Sequence, residues 1–142
     1  MLNWLSIDSV RCPNQPMTTS DGDFIIVYNS EVYNFREIAG ELSLSDLRSR
    51  SDTEVILRAF EAGGVQSLRN LNGMFAFALY HKSARKLWLV RDRLGIKPLY
   101  YAVYPGGFAF ASEPKAILRL PGICARLDPD ALSDFLAYGY VP

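Results

Sequence analysis

The chain has 142 residues, of which 49% are hydrophobic and 13% aromatic, which is enough for one globular domain with a hydrophobic core and too little for two ordinary ones. Fifteen basic residues balance fifteen acidic residues, so the net charge offers no long-range attraction for nucleic acid or for an anionic membrane. Cys12 and Cys124 lack metal-binding or redox spacing, and no signal peptide or long apolar segment is evident. We therefore predict a cytoplasmic protein without a membrane span, a metal or a cofactor.

The first half of the chain predicts one strand and two helices. Residues Asp23 to Asn29 are mostly apolar and β-branched, which predicts a strand buried on both faces. Asn34 and Glu37 have the spacing of a capping box and predict the start of a short helix. Ser51 and Glu54 repeat this spacing and predict the start of a second, more regular helix.

The second half predicts strands followed by helices. Large and small apolar side chains alternate from Met74 to Tyr80, so both faces of this strand are expected to be covered. Three more strands are expected at Lys86 to Arg91, Leu99 to Val103 and Phe108 to Ala111. Together with the strand at Met74 to Tyr80 they make four strands, which are expected to be joined by three antiparallel hairpin connections. Helices are expected from Pro114 to Leu120 and, after the N-cap Asp128, as far as about Tyr138. This mixture predicts the α+β class.

Several polar residues of the chain have simple structural interpretations. His81 is expected in an exposed turn, and Asp92 and its neighbours are expected to form a structural ion pair and a hairpin. Arg48 and Arg50 are expected to be solvated, and Gln15 to serve in a turn and in packing.

Five segments follow one another in an order that resembles a known family. They are Asn29-Ser30-Glu31-Val32-Tyr33-Asn34, Ser51-Asp52-Thr53-Glu54, Leu71-Asn72-Gly73-Met74-Phe75-Ala76-Phe77-Ala78-Leu79, Asp92-Arg93-Leu94-Gly95-Ile96-Lys97-Pro98-Leu99-Tyr100-Tyr101 and Phe110-Ala111-Ser112-Glu113. Together they resemble the class II glutamine amidotransferase domain of glutamine-dependent asparagine synthase. The resemblance runs from Leu5 to Pro142 and implies the αββα layered sandwich of the N-terminal nucleophile hydrolases. It implies one partial type-2 glutamine amidotransferase domain over residues 1–142.

The resemblance also implies a set of site residues without a metal. The side-chain amide of Asn29 and the backbone N–H of Ser30 take the oxyanion-hole positions, with Ser30 where the family has glycine; its Cβ is costly if the backbone requires a positive φ. Glu31 and Asp52 take substrate-binding positions, and Asp52 pairs with the substrate ammonium. A carboxylate in the first turn of a helix also explains Asp52 without any ligand. Trp4 stands where the family has an arginine for the substrate carboxylate.

The family hydrolyses glutamine with an N-terminal cysteine, whereas this sequence begins Met1-Leu2. We therefore expect an N-terminally truncated domain that lacks its first strands and its nucleophile and is inactive alone. The family role is to supply ammonia for amide synthesis; the alternatives are a non-catalytic module that binds glutamine or a protein partner, and a decayed gene product. The expected partners are glutamine, a synthetase domain or a complementing N-terminal segment, and further copies of the chain in a homo-oligomer.

Overall fold

A computed structural model describes residues 15–49 and 51–141, and the chain falls into two compact units, Met1–Leu99 and Tyr100–Pro142. Trp4, Cys12 and Arg50, which are named above, lie outside the described residues. Both helices and strands are present in substantial amounts, so the α+β prediction is confirmed. No helix among the described residues is long and apolar enough to cross a membrane.

The first unit contains an antiparallel four-stranded sheet in the order β1-β2-β3-β4. The strands are β1 (Met17–Thr18), β2 (Phe24–Val32), β3 (Gly73–His81) and β4 (Lys86–Arg91). Strands β2 and β3 pair along their whole length, from Phe24 opposite His81 to Val32 opposite Gly73. Two α-helices, α1 (Phe35–Glu41) and α2 (Asp52–Gly63), and a 3-10 helix, Gly64–Asn70, lie between β2 and β3 in the sequence.

The core of this unit lies between helix α2 and one face of the sheet. Phe60 of α2 contacts Phe24 of β2 and Trp88 of β4, with ring centroids 6.0 and 4.9 Å apart. The fully buried members of the core are Ile26, Val32, Val55, Ile56, Leu57, Leu71, Phe77 and Leu79. Each such side chain contributes on the order of 1.5–3 kcal/mol through its burial, so the packing of α2 fixes its first residue relative to β2.

Strand β3 is buried on both faces, as the alternation of large and small side chains predicts. Phe75, Phe77 and Leu79 belong to the core, and Ala76 and Ala78 on the opposite face are each only 4% exposed.

Strand β2 differs from the prediction because only one of its faces is buried. Val27 is 43% exposed, and Asn29 and Glu31 are half-buried. The strand also continues three residues beyond Asn29, to Val32, because β3 is long enough to pair with the polar residues as well.

The second unit contains an antiparallel hairpin and two helices. The hairpin consists of β5 (Tyr100–Tyr104) and β6 (Gly107–Ala111), and it is followed by α3 (Pro114–Ile117) and α4 (Pro129–Tyr138). The side chain of Asp128 caps α4 by accepting hydrogen bonds from the first backbone N–H groups of the helix. The predicted start and end of α4 are therefore confirmed.

The prediction of three hairpins after residue 73 is wrong, because among the four strands β3 to β6 only the pairs β3–β4 and β5–β6 are hairpins. Strands β4 and β5 belong to separate sheets. The segment between them folds back on itself around Asp92, whose buried carboxylate accepts hydrogen bonds from the backbone N–H groups of Leu94, Ile96 and Lys97.

Candidate functional site

The last residues of β2 include three of the four candidate site residues. Asn29, Ser30 and Glu31 lie in backbone that pairs with the beginning of β3. Side chains of a strand point alternately to its two faces, and Tyr28 and Val32 belong to the core. Asn29 and Glu31 therefore project from the sheet face opposite helix α2.

Asp52, the fourth candidate, is the first residue of α2 and binds directly to β2. Its Oδ2 accepts hydrogen bonds from the Tyr28 hydroxyl at 2.6 Å and from the Val32 N–H at 3.1 Å. Its Oδ1 accepts a hydrogen bond from the N–H of Thr53 at 2.8 Å. The two sequence motifs are thus joined, and the carboxylate lies next to the strand that contains Asn29, Ser30 and Glu31.

Tyr28 is the donor that the sequence reasoning missed. Its side chain is 3% exposed and its ring packs against Phe77, with centroids 5.8 Å apart. Burial, followed by the negative charge of Asp52 and the hydrogen bond to it, raises the pKa of Tyr28 far above its usual value. The hydroxyl therefore stays protonated and is a donor to Asp52. A tyrosine in an apolar strand gives no signal of this partner in the sequence.

The backbone N–H of Ser30 points away from β3. Phe75, opposite Ser30, uses both of its backbone groups on Asp92: its N–H donates to Oδ2 at 3.2 Å and its carbonyl accepts from the Asp92 N–H at 2.8 Å. Ser30 and Phe75 are therefore a pair without mutual backbone hydrogen bonds. Ser30 does not have a positive φ, so its Cβ causes no backbone strain, and its Oγ accepts a hydrogen bond from the Ala76 N–H at 3.0 Å.

Three alternate residues of β2 direct their backbone N–H groups to this same edge of the strand. The N–H of Tyr28 donates to Gln15 Oε1 at 2.7 Å, and Gln15 Nε2 donates in return to the Tyr28 carbonyl at 2.8 Å. The N–H of Val32 donates to Asp52. Ser30 lies between these two, so its N–H points into the part of the edge that Gln15 and Asp52 border.

Gln15 is thus more than the turn and packing residue that its sequence context indicated. Its side-chain amide forms the pair of hydrogen bonds that a neighbouring strand would form with Tyr28. An amide has both a donor and an acceptor, so glutamine suits this position. No local pattern identifies it, because its partner is 13 residues away.

The loop before α2 is held by the buried carboxylate of Glu54. Glu54 accepts hydrogen bonds from the backbone N–H of Arg48 at 2.9 Å, from the N–H of Ser49, and from the Ser49 hydroxyl at 2.6 Å. Burial by itself would raise the pKa of Glu54, but these hydrogen bonds, with the nearby Arg48 guanidinium, lower it below its usual value. Arg48 is therefore not simply solvated, as the sequence suggested.

Helix α2 begins at the predicted residue, although Glu54 does not complete the capping box. Ser51 accepts a hydrogen bond from the Glu54 N–H at 3.4 Å, whereas the Glu54 side chain reaches further back, to residues 48 and 49. Glu54 thereby orders the residues that lead into Asp52.

The predicted start of α1 is confirmed, because Asn34 is the N-cap residue of Phe35–Glu41, but the side-chain capping bond that the spacing indicated is not made. The Asn34 side chain makes no cap hydrogen bond; its amide donates to the Asn70 carbonyl at 2.8 Å and accepts from the Asn72 N–H at 2.9 Å. The side chain joins the end of β2 to the loop before β3. This long-range pair satisfies both ends of the amide, which a helix cap would not.

His81 and Asp92 have structural roles in the described part of the chain. His81 is half-buried rather than exposed: it stacks on Phe24 at 4.2 Å between ring centroids, and its Nε2 lies 2.9 Å from Asp23 Oδ2. Asp92 has a structural role, but the predicted ion pair and hairpin are wrong for the described residues, because its carboxylate accepts hydrogen bonds from backbone N–H groups and strands β4 and β5 belong to separate sheets.

The sequence of the chain matches the family model described as a glutamine amidotransferase domain over residues 4–142. The chain therefore belongs to this family of amidotransferase domains. The α+β fold and the join between the two motifs fit that assignment.

Individual relatives of the chain indicate which kind of amidotransferase domain it is. "Asparagine synthetase [glutamine-hydrolyzing] 3" of Bacillus subtilis is 38% identical over 139 residues, which is 95% of this chain and 23% of the relative. "Asparagine synthetase [glutamine-hydrolyzing] 2" of the same organism is 35% identical over 136 residues, which is 95% of this chain and 18% of the relative. A putative asparagine synthetase of Mycobacterium tuberculosis is 36% identical over 150 residues, with coverages of 99% and 23%. The chain is thus a glutamine amidotransferase domain of the asparagine-synthetase-like kind, and it spans about a quarter or less of these relatives.

Proposed function

We propose that residues 1–142 form one glutamine amidotransferase domain that binds glutamine along the edge of β2. In this proposal the domain supplies ammonia for amide synthesis in a longer protein or complex. The observation that carries the proposal is the position of the Asp52 carboxylate, which is bound to the N–H of Val32, two residues beyond the N–H of Ser30 on the same strand edge.

The spacing along this edge suits a small amino acid with polar groups at both ends. Two residues of a strand span about 7 Å, which is the separation along β2 between the N–H of Ser30 and the N–H bound to Asp52. The amide and the ammonium of glutamine are separated by a short carbon chain of similar reach. Glutamine can therefore place its amide oxygen at Ser30 while its ammonium meets Asp52.

The chemical roles follow from the groups at each end. The Ser30 N–H and the Asn29 side-chain amide are the donors we assign to the oxygen that gains negative charge when the carboxamide is attacked. Asp52 takes the ammonium in a charge-assisted hydrogen bond. Glu31, on the same strand face as Asn29, contributes a second carboxylate to the substrate side of the site. These donors stabilise and orient the carboxamide; the nucleophile and the base are separate requirements of the reaction.

The acceptor of the ammonia belongs to a domain or a partner outside this chain. We propose a synthetase domain as that partner, because the relatives named asparagine synthetases are several times longer than the matched region. An amidotransferase domain that delivers ammonia to a synthetase needs no cofactor of its own for the hydrolytic step.

A titration with glutamine, followed through backbone amide chemical shifts, tests the proposal. We expect the shifts of Ser30, Val32 and Thr53 to change together. Asp52→Asn should weaken binding by about 10-fold to 100-fold, because the loss of a hydrogen bond to a charged group costs about 1.5–3 kcal/mol.

Asp46→Asn is the matched control for Asp52→Asn. Asp46 is an exposed carboxylate, 70% accessible, that pairs with Arg58 at 3.3 Å, so its replacement should change the affinity by less than about twofold. A deamino analogue of glutamine should bind the unaltered protein more weakly than glutamine itself. Equal affinities for the two ligands would contradict the assignment of Asp52, and no shift changes near Ser30 and Val32 would contradict the whole proposal.

Trp4→Arg provides a separate test that uses the sequence alone. An arginine at this position would restore the cation that the family uses for the substrate carboxylate. The substitution should strengthen glutamine binding without strengthening the binding of glutaramide, which has no carboxylate. An unchanged glutamine affinity would contradict the assignment of this position to the substrate carboxylate.

A further inference from the structure

The hydrogen bonds of Asp52 occupy its two oxygens unequally. A carboxylate has about four lone-pair positions, two on each oxygen. Among the donors of residues 15–49 and 51–141, the Tyr28 hydroxyl and the Val32 N–H fill both positions of Oδ2, whereas the Thr53 N–H fills only one position of Oδ1. With respect to the described part of the chain, one acceptor position therefore remains, and it belongs to Oδ1.

We propose that Tyr28 is a positioning residue, whose hydroxyl occupies Oδ2 of Asp52 so that Oδ1 alone remains to accept a ligand's ammonium group. This inference rests on the proposed glutamine site and adds to it a residue that recognises the substrate indirectly. Tyr28 does not touch the ligand; it fixes the rotation of the carboxylate that does.

Several contacts make Tyr28 a rigid support for this purpose. The side chain of Gln15 holds its backbone N–H and carbonyl, at 2.7 and 2.8 Å. Its ring is 3% exposed and packs against Phe77. The 2.6 Å distance from its hydroxyl to Oδ2 is typical of a hydrogen bond to a charged acceptor. Because burial and the Asp52 charge raise the pKa of Tyr28, the hydroxyl remains a donor.

The hydrogen bond to Val32 cannot hold the carboxylate in this way by itself. Asp52 begins a helix, and its Oδ1 already bonds to the next N–H of that helix. Without the Tyr28 hydroxyl, Oδ2 would keep a single donor and would gain an open position for water or for a ligand. The carboxylate could then rotate and present either oxygen, so the ammonium would lose its fixed partner.

Tyr28→Phe tests this inference, with Tyr80→Phe as the control. Tyr80 lies on β3 in the same sheet, and its hydroxyl makes no hydrogen bond to another described residue. Its replacement by phenylalanine should therefore leave binding unchanged. Tyr28→Phe should weaken glutamine binding by about tenfold, as the loss of a hydrogen bond to a charged group commonly does. The deamino analogue, which has no ammonium for Asp52, should bind the variant and the original protein within about twofold. If both ligands weaken equally, Tyr28 is only structural and the inference is overturned.

Hydrogen exchange provides a second readout that requires no ligand. In Tyr28→Phe the amide hydrogens of Val32 and Thr53 should exchange about fivefold or more faster than in the original protein, because their common acceptor has become mobile. The amide of Ile26, in the middle of the sheet, should keep its rate. Unchanged exchange at Val32 and Thr53 would overturn the inference. Failure of glutamine to bind the original protein would overturn the proposed function and the ligand half of this inference, while exchange would still decide whether Tyr28 holds Asp52.

Discussion

Gly73 is the residue at which a single added methyl group should have the largest effect on the site. It begins β3 directly opposite Val32. A Cβ on Gly73 would lie 2.2 Å from the Glu31 carbonyl oxygen and 2.8 Å from the Val32 Cα. Both atoms are backbone, so neither can move by a simple change of rotamer. Gly73→Ala should therefore push the ends of β2 and β3 apart, next to the candidate site.

The size of the effect follows from the distances. Non-bonded heavy atoms settle at about 3.5 Å or more, so the two strands must separate by about 1 Å at this point. Overpacking of this kind costs about 1–3 kcal/mol, and the upper end applies because backbone has to shift. For a domain of this size about 3 kcal/mol corresponds to a fall of roughly 10 °C in Tm.

Calorimetric or circular dichroism melting measures this effect, and Gly40→Ala is the control. Gly40 lies in helix α1, and a Cβ there meets no atom within 4 Å. Alanine favours the helix over glycine by up to about 1 kcal/mol, so Gly40→Ala should raise Tm slightly. The two glycine-to-alanine substitutions should thus change Tm in opposite directions. A Tm of Gly73→Ala within about 2 °C of the original value would refute the steric reasoning.

Three further predictions concern the contacts that support the sheet. Phe60→Ala should lower the free energy of unfolding by about 3–5 kcal/mol. It should also shift the fluorescence of Trp88, which contacts Phe60. An unchanged fluorescence spectrum in a Trp4→Phe background, in which Trp88 is the single tryptophan, would contradict that packing. Asn34→Ala removes two hydrogen bonds and should cost about 1–2 kcal/mol in urea unfolding, whereas a cost near zero would mean that water replaces both. Burial by itself would raise the pKa of Asp92, but the hydrogen bonds from backbone N–H groups outweigh burial and lower the pKa. A lowered pKa stabilises the fold at pH values above the unfolded pKa near 4, and this stabilisation is lost as the pH falls through the folded pKa. The urea concentration at the midpoint of unfolding should therefore decrease when the pH is lowered below about 4, and it should decrease less in Asp92→Asn.

Elements with a strong local pattern were predictable from the sequence. Strand β4 has the predicted bounds, Lys86–Arg91, and helix α4 ends at the predicted Tyr138. Helix α2 begins after Ser51 as predicted. In each case the pattern of apolar residues and the flanking turn or cap signals indicate the same boundary.

Contacts between distant residues could not be predicted in the same way. Asn34 and Glu37 satisfy the capping-box spacing, yet Asn34 binds residues 36 and 38 positions away. The third hairpin was expected because two apolar strands flank a turn, but the Asp92 carboxylate gathers the backbone of that turn instead. A local pattern indicates which structure a segment can form, but competing contacts with distant residues determine whether that structure forms.

The candidate site illustrates both cases within one residue. On the sequence alone, Asp52 has a local explanation, as a carboxylate in the first turn of a helix, and a functional one, as the partner of a substrate ammonium. The local explanation accounts for the hydrogen bond from the Thr53 N–H to Oδ1. It does not account for Oδ2, which receives a buried tyrosine hydroxyl and a strand N–H from residues 20 or more positions away.

Stabilisation of the helix alone does not require a second set of donors that fixes the rotation of the carboxylate. Burying Tyr28 with its hydroxyl on Asp52 also has a cost, because a phenylalanine would fill the same space without a polar group to satisfy. A fixed orientation is useful when one oxygen has to meet a partner from a defined direction. The unequal use of the two oxygens therefore favours the functional interpretation of Asp52, and the comparison of glutamine with its deamino analogue in Tyr28→Phe tests that interpretation directly.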